Sequence, residues 1–249
     1  MGPIVRASLV EQVALKLKDR ILDGTYRAGE PLPSHRELAQ ALEVSRETAR
    51  AAVQHLVARG YLTARPRAAM RVARVDRSGG LEVMLDLVSS ILEQGRDLRP
   101  LRAPLEGLER LHRIVFAEAA ALAATRYDRA DEQSLLMTFG ELETHLTRGH
   151  SEQVMDGQAA VVAAIATASG PVCFGLTLNP IHRVWAKVRQ HVEPGVADSA
   201  SRGYFDCLER AILGRETSTA RELVLETPFP GWLELARSLV RDDADGPGR

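Results

Sequence analysis

The chain has 249 residues, enough for one large domain or two of ordinary size. It is 45% apolar and 26% charged, as an ordinary globular protein is, and no run of eighteen apolar residues offers a membrane span. Two cysteines far apart, Cys173 and Cys207, argue against a disulfide framework or a zinc site. Charge is unevenly spread: residues 1–76 hold 13 Lys and Arg against 8 Asp and Glu, a net +5, while the rest holds 19 against 25, a net −6. A basic first third joined to an acidic remainder fits a nucleic-acid module followed by a part kept off DNA. No secretory signal opens the chain, so a reduced, cytoplasmic setting is expected.

In chain order, Val10 to Leu22 is apolar at Val10, Val13, Leu15, Leu17, Ile21 and Leu22, a helix closed by Asp23-Gly24. The connector YRAGEPLP leads to Ser34 and Glu37, spaced as a capping box, and to a short helix whose buried side is expected at Leu38, Ala41 and Leu42. A third helix is predicted from Ser45 to Arg59, with Ala49, Ala52, Val53 and Leu56 facing inward and Gly60 ending it. The run YLTARPRAAMRVARV alternates in its arms and is basic at its centre, which predicts a short hairpin.

These elements assign 1–75 to a winged helix-turn-helix domain, followed by a linker at 76–80 rich in Ser and Gly. From 81 to 241 almost every periodic segment reads as helix, and low aromatic content suits a bundle packed by Ala, Leu and Val. Residues 242–249 read as a disordered tail. The expected fold class is therefore mainly α, a winged helix-turn-helix followed by an all-α bundle.

The third helix starts with a polar turn, Ser45-Arg46-Glu47-Thr48. A major groove admits one helix, whose first turns reach base edges and phosphates. Ser45 and Thr48 suit phosphate oxygens, and Arg46 and Arg50, four apart, project from one face toward guanine or phosphate. Arg36 stands at the start of the preceding helix, within reach of the backbone or the same groove. Arg65 and Arg67 would bring charge to a narrow minor groove from the wing.

The stretch GEPLPSHRELAQALEVSRETARAAVQHLVARGYL resembles the signature of the GntR family of bacterial transcription factors. The resemblance implies operator binding as a homodimer and carries DNA contacts onto Arg36, Ser45, Arg46, Glu47, Thr48 and Arg50. Glu47 stands where the family's FadR branch has a hydroxyl; a carboxylate accepts from cytosine N4 and repels phosphate, which implies a different operator. Pro66 and Arg67 replace the usual glycine at the wing tip.

The helical remainder resembles the FCD effector domain of the FadR branch, most of all in ATASGPVCFGLTLNPIHRVWAKVRQHV. Many such domains hold a divalent metal through an Asp and three His. That pattern is missing here, because Asp156 is followed by GQAAVV and the spacing of His145, His150, His182 and His191 makes no such set. No metal and no cofactor are expected. In the FadR register Arg113, Trp185, Phe205 and Trp232 fall on effector-pocket positions, and Val192 replaces a tyrosine. The resemblance implies an effector-responsive regulator, not an enzyme, with fatty acyl-CoA or a related acyl or carboxylate metabolite as effector. The alternative is a constitutive or protein-sensing DNA-binding regulator with no small effector.

Overall fold

Three serines set the starts of the first three helices in the computed structural model, which describes residues 8–64, 69–74, 79–93, 101–149, 151–190 and 198–232. Ser8 caps α1 (Leu9–Leu22), Ser34 caps α2 (His35–Ala41) and Ser45 caps α3 (Arg46–Ala58). Each hydroxyl accepts from the amide three residues on, relieving one of the helix's orphan N–H groups. At the first two, Glu11 and Glu37 reach back to the cap amide and complete the box. The Ser34 hydroxyl, then its amide, holds the Glu37 carboxyl below its ordinary pKa.

The chain folds as two compact units, residues 1–96 and 97–249. In the first, α1 and α2 both pack on α3, around a core that includes Leu17, Leu38, Ala49, Val53, Leu56 and Tyr61. The α1 stripe runs through Val13, Ala14, Leu17 and Ile21, and Leu15 of the expected face is turned outward, 53% exposed. In α2 the inward pair is Leu38 and Ala39; Ala41 is exposed because the helix stops there and the chain turns back, Val44 N–H bonding to the Ala39 carbonyl at 3.0 Å. That turn sets Glu43 at φ 54°, the left-handed region that usually takes glycine or asparagine. Gly60, at φ 80°, does the same after α3, and Tyr61 N–H closes on the Leu56 carbonyl at 3.0 Å.

Strands β1 (Leu62–Thr63) and β2 (Arg71–Val72) pair antiparallel, Leu62 opposite Val72 and Thr63 opposite Arg71, with a bridge from Pro31 to Arg71 extending the ladder. The predicted hairpin is thus present as its two arms; Arg65 and Arg67 lie outside the described residues. Helix α4 (Leu81–Glu93) belongs with the first unit and packs on α1.

The second unit comprises α5 (Arg102–Arg126), α6 (Arg129–Arg148), α7 (Ser151–Ala168), α8 (Val172–Arg189), α9 (Asp198–Leu213) and α10 (Thr217–Glu226). Helix α5 is the centre, packed against α7, α8, α9 and α10. Its last turns bury Ala117, Ala119, Ala120, Ala121, Ala123 and Ala124, a small-residue surface on which neighbours come close. Where α6 meets α7, Gly157 gives the same closeness: a Cβ there would stand 3.1 Å from Leu142 Cδ1. Asp128 caps α6 by the same boxed arrangement as in the first unit, with Asp131 as the returning acid. The expected last helix over 231–241 lies outside the described residues beyond Trp232. No helix among the described residues is long and apolar enough to cross a membrane.

Candidate nucleic-acid interface and effector core

The α3 side chains divide cleanly. Ala49, Ala52 and Val53 are fully buried and Leu56 nearly so, while Ser45, Arg46, Glu47 and Arg50 are exposed and Thr48 is half-buried. The inward residues follow the helical repeat of three and four, so the polar residues between them are turned out together. Among the described residues no ion pair or side-chain hydrogen bond occupies Arg46, Glu47 or Arg50. Three charged side chains held on a fixed helix, with no partner among the described residues, are available to an outside partner.

The start of α3 adds backbone donors. Thr48 N–H is taken by Ser45 Oγ at 3.0 Å, but the amides of Arg46 and Glu47 precede the first intrahelical bond, Ala49 N–H to the Ser45 carbonyl. These free N–H groups and the positive end of the helix dipole favour an anion such as phosphate. Ser45 Oγ and Thr48 Oγ1 lie 2.8 Å apart, so one hydroxyl hydrogen is used between them and one is left to donate outward. The two predicted phosphate donors therefore act as a single donor pair. Arg36 is exposed in the first turn of α2, where it also helps lower the neighbouring Glu37 carboxyl. In the wing, Arg71 Nη1 donates to the Gly29 carbonyl at 2.7 Å, fixing β2 to the loop before α2.

The second unit uses its functional-looking residues differently. Trp185 and Trp232 are buried and stacked, ring centres 4.8 Å apart. Phe229 bridges them to the third predicted aromatic, lying 4.6 Å from Trp232 and 5.8 Å from Phe205. The structure thus brings Trp185, Phe205 and Trp232 into one cluster. Arg113 follows the buried His112 on α5, and its charge meets Glu109, Nε to Oε1 at 3.1 Å, while its Nη1 donates to the Leu225 carbonyl at 3.1 Å. Val192 lies outside the described residues.

Two histidines complete this cluster, and the spacing of residues in sequence did not reveal their pairing. His112 is fully buried and its Nε2 lies 3.1 Å from His182 Nε2, a bond that needs one neutral ring to accept. Phe116, Phe229 and Trp232 surround His112 at ring distances of 5.3, 4.8 and 4.4 Å. Burial pushes His112 well below its ordinary pKa, reinforced by His182, and burial takes His182 down to about 3. A signal was available for one of them, since His112 falls among apolar positions of α5 at helical spacing; its partner is 70 residues away. Among the described residues no three His, Cys, Asp or Glu gather as a metal-binding group. His150 and His191 lie outside the described residues. Beside the cluster, Phe205 also lines a cavity of about 170 Å³ between α6 and α9, with Phe139 and the acids Glu143, Asp206 and Glu209.

Comparison with known proteins agrees with the geometry of the first unit. Residues 9–72 match the profile of the gntR family of bacterial regulatory proteins. The chain is 34% identical over 126 residues to the Glc operon transcriptional activator of Escherichia coli K12, covering 51% of this chain and 46% of that protein. It is also 34% identical over 127 residues to the HTH-type transcriptional regulator Mce2R of Mycobacterium tuberculosis, covering 51% of this chain and 50% of that one. The chain thus spans about half the length of the curated relatives it matches. A solved structure described as that of Lar, which controls expression of the Listeria monocytogenes agr system, aligns over 97% of this chain and all of its own, with a TM-score of 0.53 at 14% identity, and so shares the fold. Over residues 9–72 the chain is thus similar to the gntR family of bacterial regulatory proteins, and in the structure that helix-turn-helix segment is followed by a helical unit.

Proposed function

We propose that this protein is a transcription regulator that binds operator DNA as a homodimer through α3, in the cytoplasm. The carrying observation is the outward face of α3: Arg46, Glu47 and Arg50 exposed and without partners among the described residues, beside two free amides, in a segment that matches the gntR family of bacterial regulatory proteins. Arg46 and Arg50 read or anchor, the Ser45–Thr48 pair and Arg36 position the helix on phosphates, and Glu47 selects against alternatives; Arg65 and Arg67 serve the wing. The test is selection of duplexes from a random pool by the full-length protein, followed by titration of the winning sequence at several salt concentrations. A reproducible two-half-site sequence and a steep salt slope are the expected result. Recovery of no enriched sequence would remove the reading.

The helical unit is proposed to hold the effector site, at Arg113, Trp185, Phe205 and Trp232, for fatty acyl-CoA or a related acyl or carboxylate metabolite. The apolar, aromatic surroundings support an acyl group there. The effector would act by preferring one of two conformations, with coupling of about 1–3 kcal/mol to operator affinity. A second reading, a constitutive or protein-sensing regulator, is favoured by a specific observation: the rings already fill the cluster at 4.4–6.1 Å and the Arg113 charge is met by Glu109. Thermal shifts with acyl-CoAs, free fatty acids and dicarboxylates separate the two. A rise with one class supports the effector, and no response to any supports the second reading.

A further inference from the structure

Helix α4 carries one acid amid an apolar stretch, Asp86 between Leu85 and Leu87, and three parts of the first unit converge on it. Lys18 of α1 donates from Nζ to Asp86 Oδ1 at 2.9 Å, the Tyr61 hydroxyl donates to Oδ2, and Arg59 Nη2, at the end of α3, lies 3.7 Å from Oδ2. The site is mostly shielded, with Lys18 and Asp86 side chains 15% and 19% exposed and Tyr61 fully buried. Burial, then the hydrogen bond to Asp86, raises the Tyr61 pKa, so its hydroxyl keeps the proton it donates.

Tyr61 makes this cluster more than a surface ion pair. Its amide donates to the Leu56 carbonyl at the end of α3, and its carbonyl accepts from Ala73 just past β2 at 2.9 Å. Leu62, the next residue, begins β1. One side chain therefore joins α4 to the point where the α3 helix and the wing meet. Val83 of α4 enters the same core, but a groove of about 650 Å³ runs beside the joint, lined by residues 57–60, 62–63, 80 and 82–83. With open space along α4's first turn, three converging polar contacts define its setting more narrowly than packing alone.

We propose that Asp86 is a positioning residue that makes α4 part of the DNA-reading head, so that any displacement of α4 is delivered to the C-terminal end of α3 and to the wing. This inference rests on the DNA-binding reading of the first unit. It names the last described element before the second unit, which begins at Asp97, as the input to the head.

The test uses the full-length protein with Asp86→Asn and, because that variant carries the greater risk to folding, Tyr61→Phe, which keeps the core ring and removes one contact. Hydrogen–deuterium exchange is read across residues 81–93, and affinity is read against the duplex selected by the wild type. Charged hydrogen bonds of this kind are worth roughly one to two decades in an equilibrium constant. In Asp86→Asn the α4 amides should exchange about tenfold faster or more, with α2 and α5 unchanged, and duplex affinity should fall about tenfold. Tyr61→Phe should do the same to a smaller degree. Unchanged exchange in α4 overturns the proposal, as does equal acceleration throughout the first unit, which marks a merely structural residue. Selective loosening of α4 with unaltered duplex affinity also overturns it. If the wild type selects no duplex, the DNA-binding reading fails instead, and the proposal falls with it even where α4 loosens as expected.

Discussion

The two units treat charge in opposite ways. On α3, Arg46, Glu47 and Arg50 stand in solvent without partners among the described residues, whereas in the bundle Arg113 meets Glu109 and two histidines are held neutral among rings. An exposed cation costs the fold little and offers a partner much, because solvation already satisfies it until a partner arrives. A buried polar group must be satisfied where it lies, so it reports first on folding. Substitutions in the two places should therefore separate binding from stability.

The largest effect is expected from Trp232→Ala. The ring is 2% exposed and in contact with His112, His182, Trp185 and Phe229, so its loss should cost about 3–5 kcal/mol of stability. Chemical denaturation followed by exchange in each unit checks it: α5 and α8 should lose protection while α2 and α3 keep theirs. Equal loss in both units would show that they fold as one, and the contrast between them would fail.

The histidine pair gives the next effect, and its sign follows from linkage. Both folded pKa values are depressed below the ordinary value of 6.5, so the unfolded chain binds protons first as pH falls. Stability is full above about pH 6.5 and declines as pH falls below it, by roughly 1 kcal/mol per histidine over the first pH unit. Glu209, raised by burial and then by Asp206 and Glu143, works in the opposite direction, so the slope is best read by difference. His112→Leu should remove about half of the decline between pH 7 and 5.5 in denaturant titrations. A variant as acid-sensitive as the wild type would show that the pair is not the source.

The contrast also explains what could be read from sequence. The outward face of α3 was legible because caps and a three-and-four apolar repeat are local: Ser45, Ala49, Ala52, Val53 and Leu56 define it by elimination. Ala39 replaced Ala41 on the inner face of α2 because the left-handed turn at Glu43 ends the helix early, a tertiary choice that a polar, non-glycine residue does not announce. In the bundle, the aromatic positions came from resemblance, but the His112–His182 bond joins residues 70 apart and Phe229 lies within a Pro-Phe-Pro break that reads only as an interruption. Asp86 had a local signal, an acid among Leu and Val, yet its partners, Lys18 in α1 and Tyr61 between α3 and β1, meet α4 through packing that no periodicity encodes.

Arg46→Ala tests the other side of the contrast. Affinity for the selected duplex should fall by about 1–3 kcal/mol with specificity relaxed at one position, if the guanidinium reads a base. Stability should change by less than about 0.5 kcal/mol, since the side chain is exposed and unpaired among the described residues. A shallower salt slope with the sequence preference intact would reassign Arg46 to phosphate. A large drop in the unfolding midpoint would undo the separation between binding and stability itself.

The smallest expected effects come from one backbone feature found in both units. Glu43 and Arg215 are the non-glycine residues with positive φ among the described residues, at 54° and 57°. The Glu43 side chain is exposed and makes no hydrogen bond among the described residues, so nothing offsets its backbone strain. The Arg215 guanidinium lies 4.0 Å over the Tyr127 ring and donates to the Thr125 and Tyr127 carbonyls at 3.2 and 3.3 Å, satisfying acceptors at the end of α5. Glycine relieves the strain at both sites at some cost in unfolded-chain entropy, and removes contacts at only one. Glu43→Gly should gain about 0.5 kcal/mol and Arg215→Gly should lose about 1 kcal/mol, read as opposite shifts in the denaturation midpoint. Shifts of the same sign would mean that the Arg215 contacts contribute nothing beyond the turn they accompany, and that the bundle's charges are no more committed than those on α3.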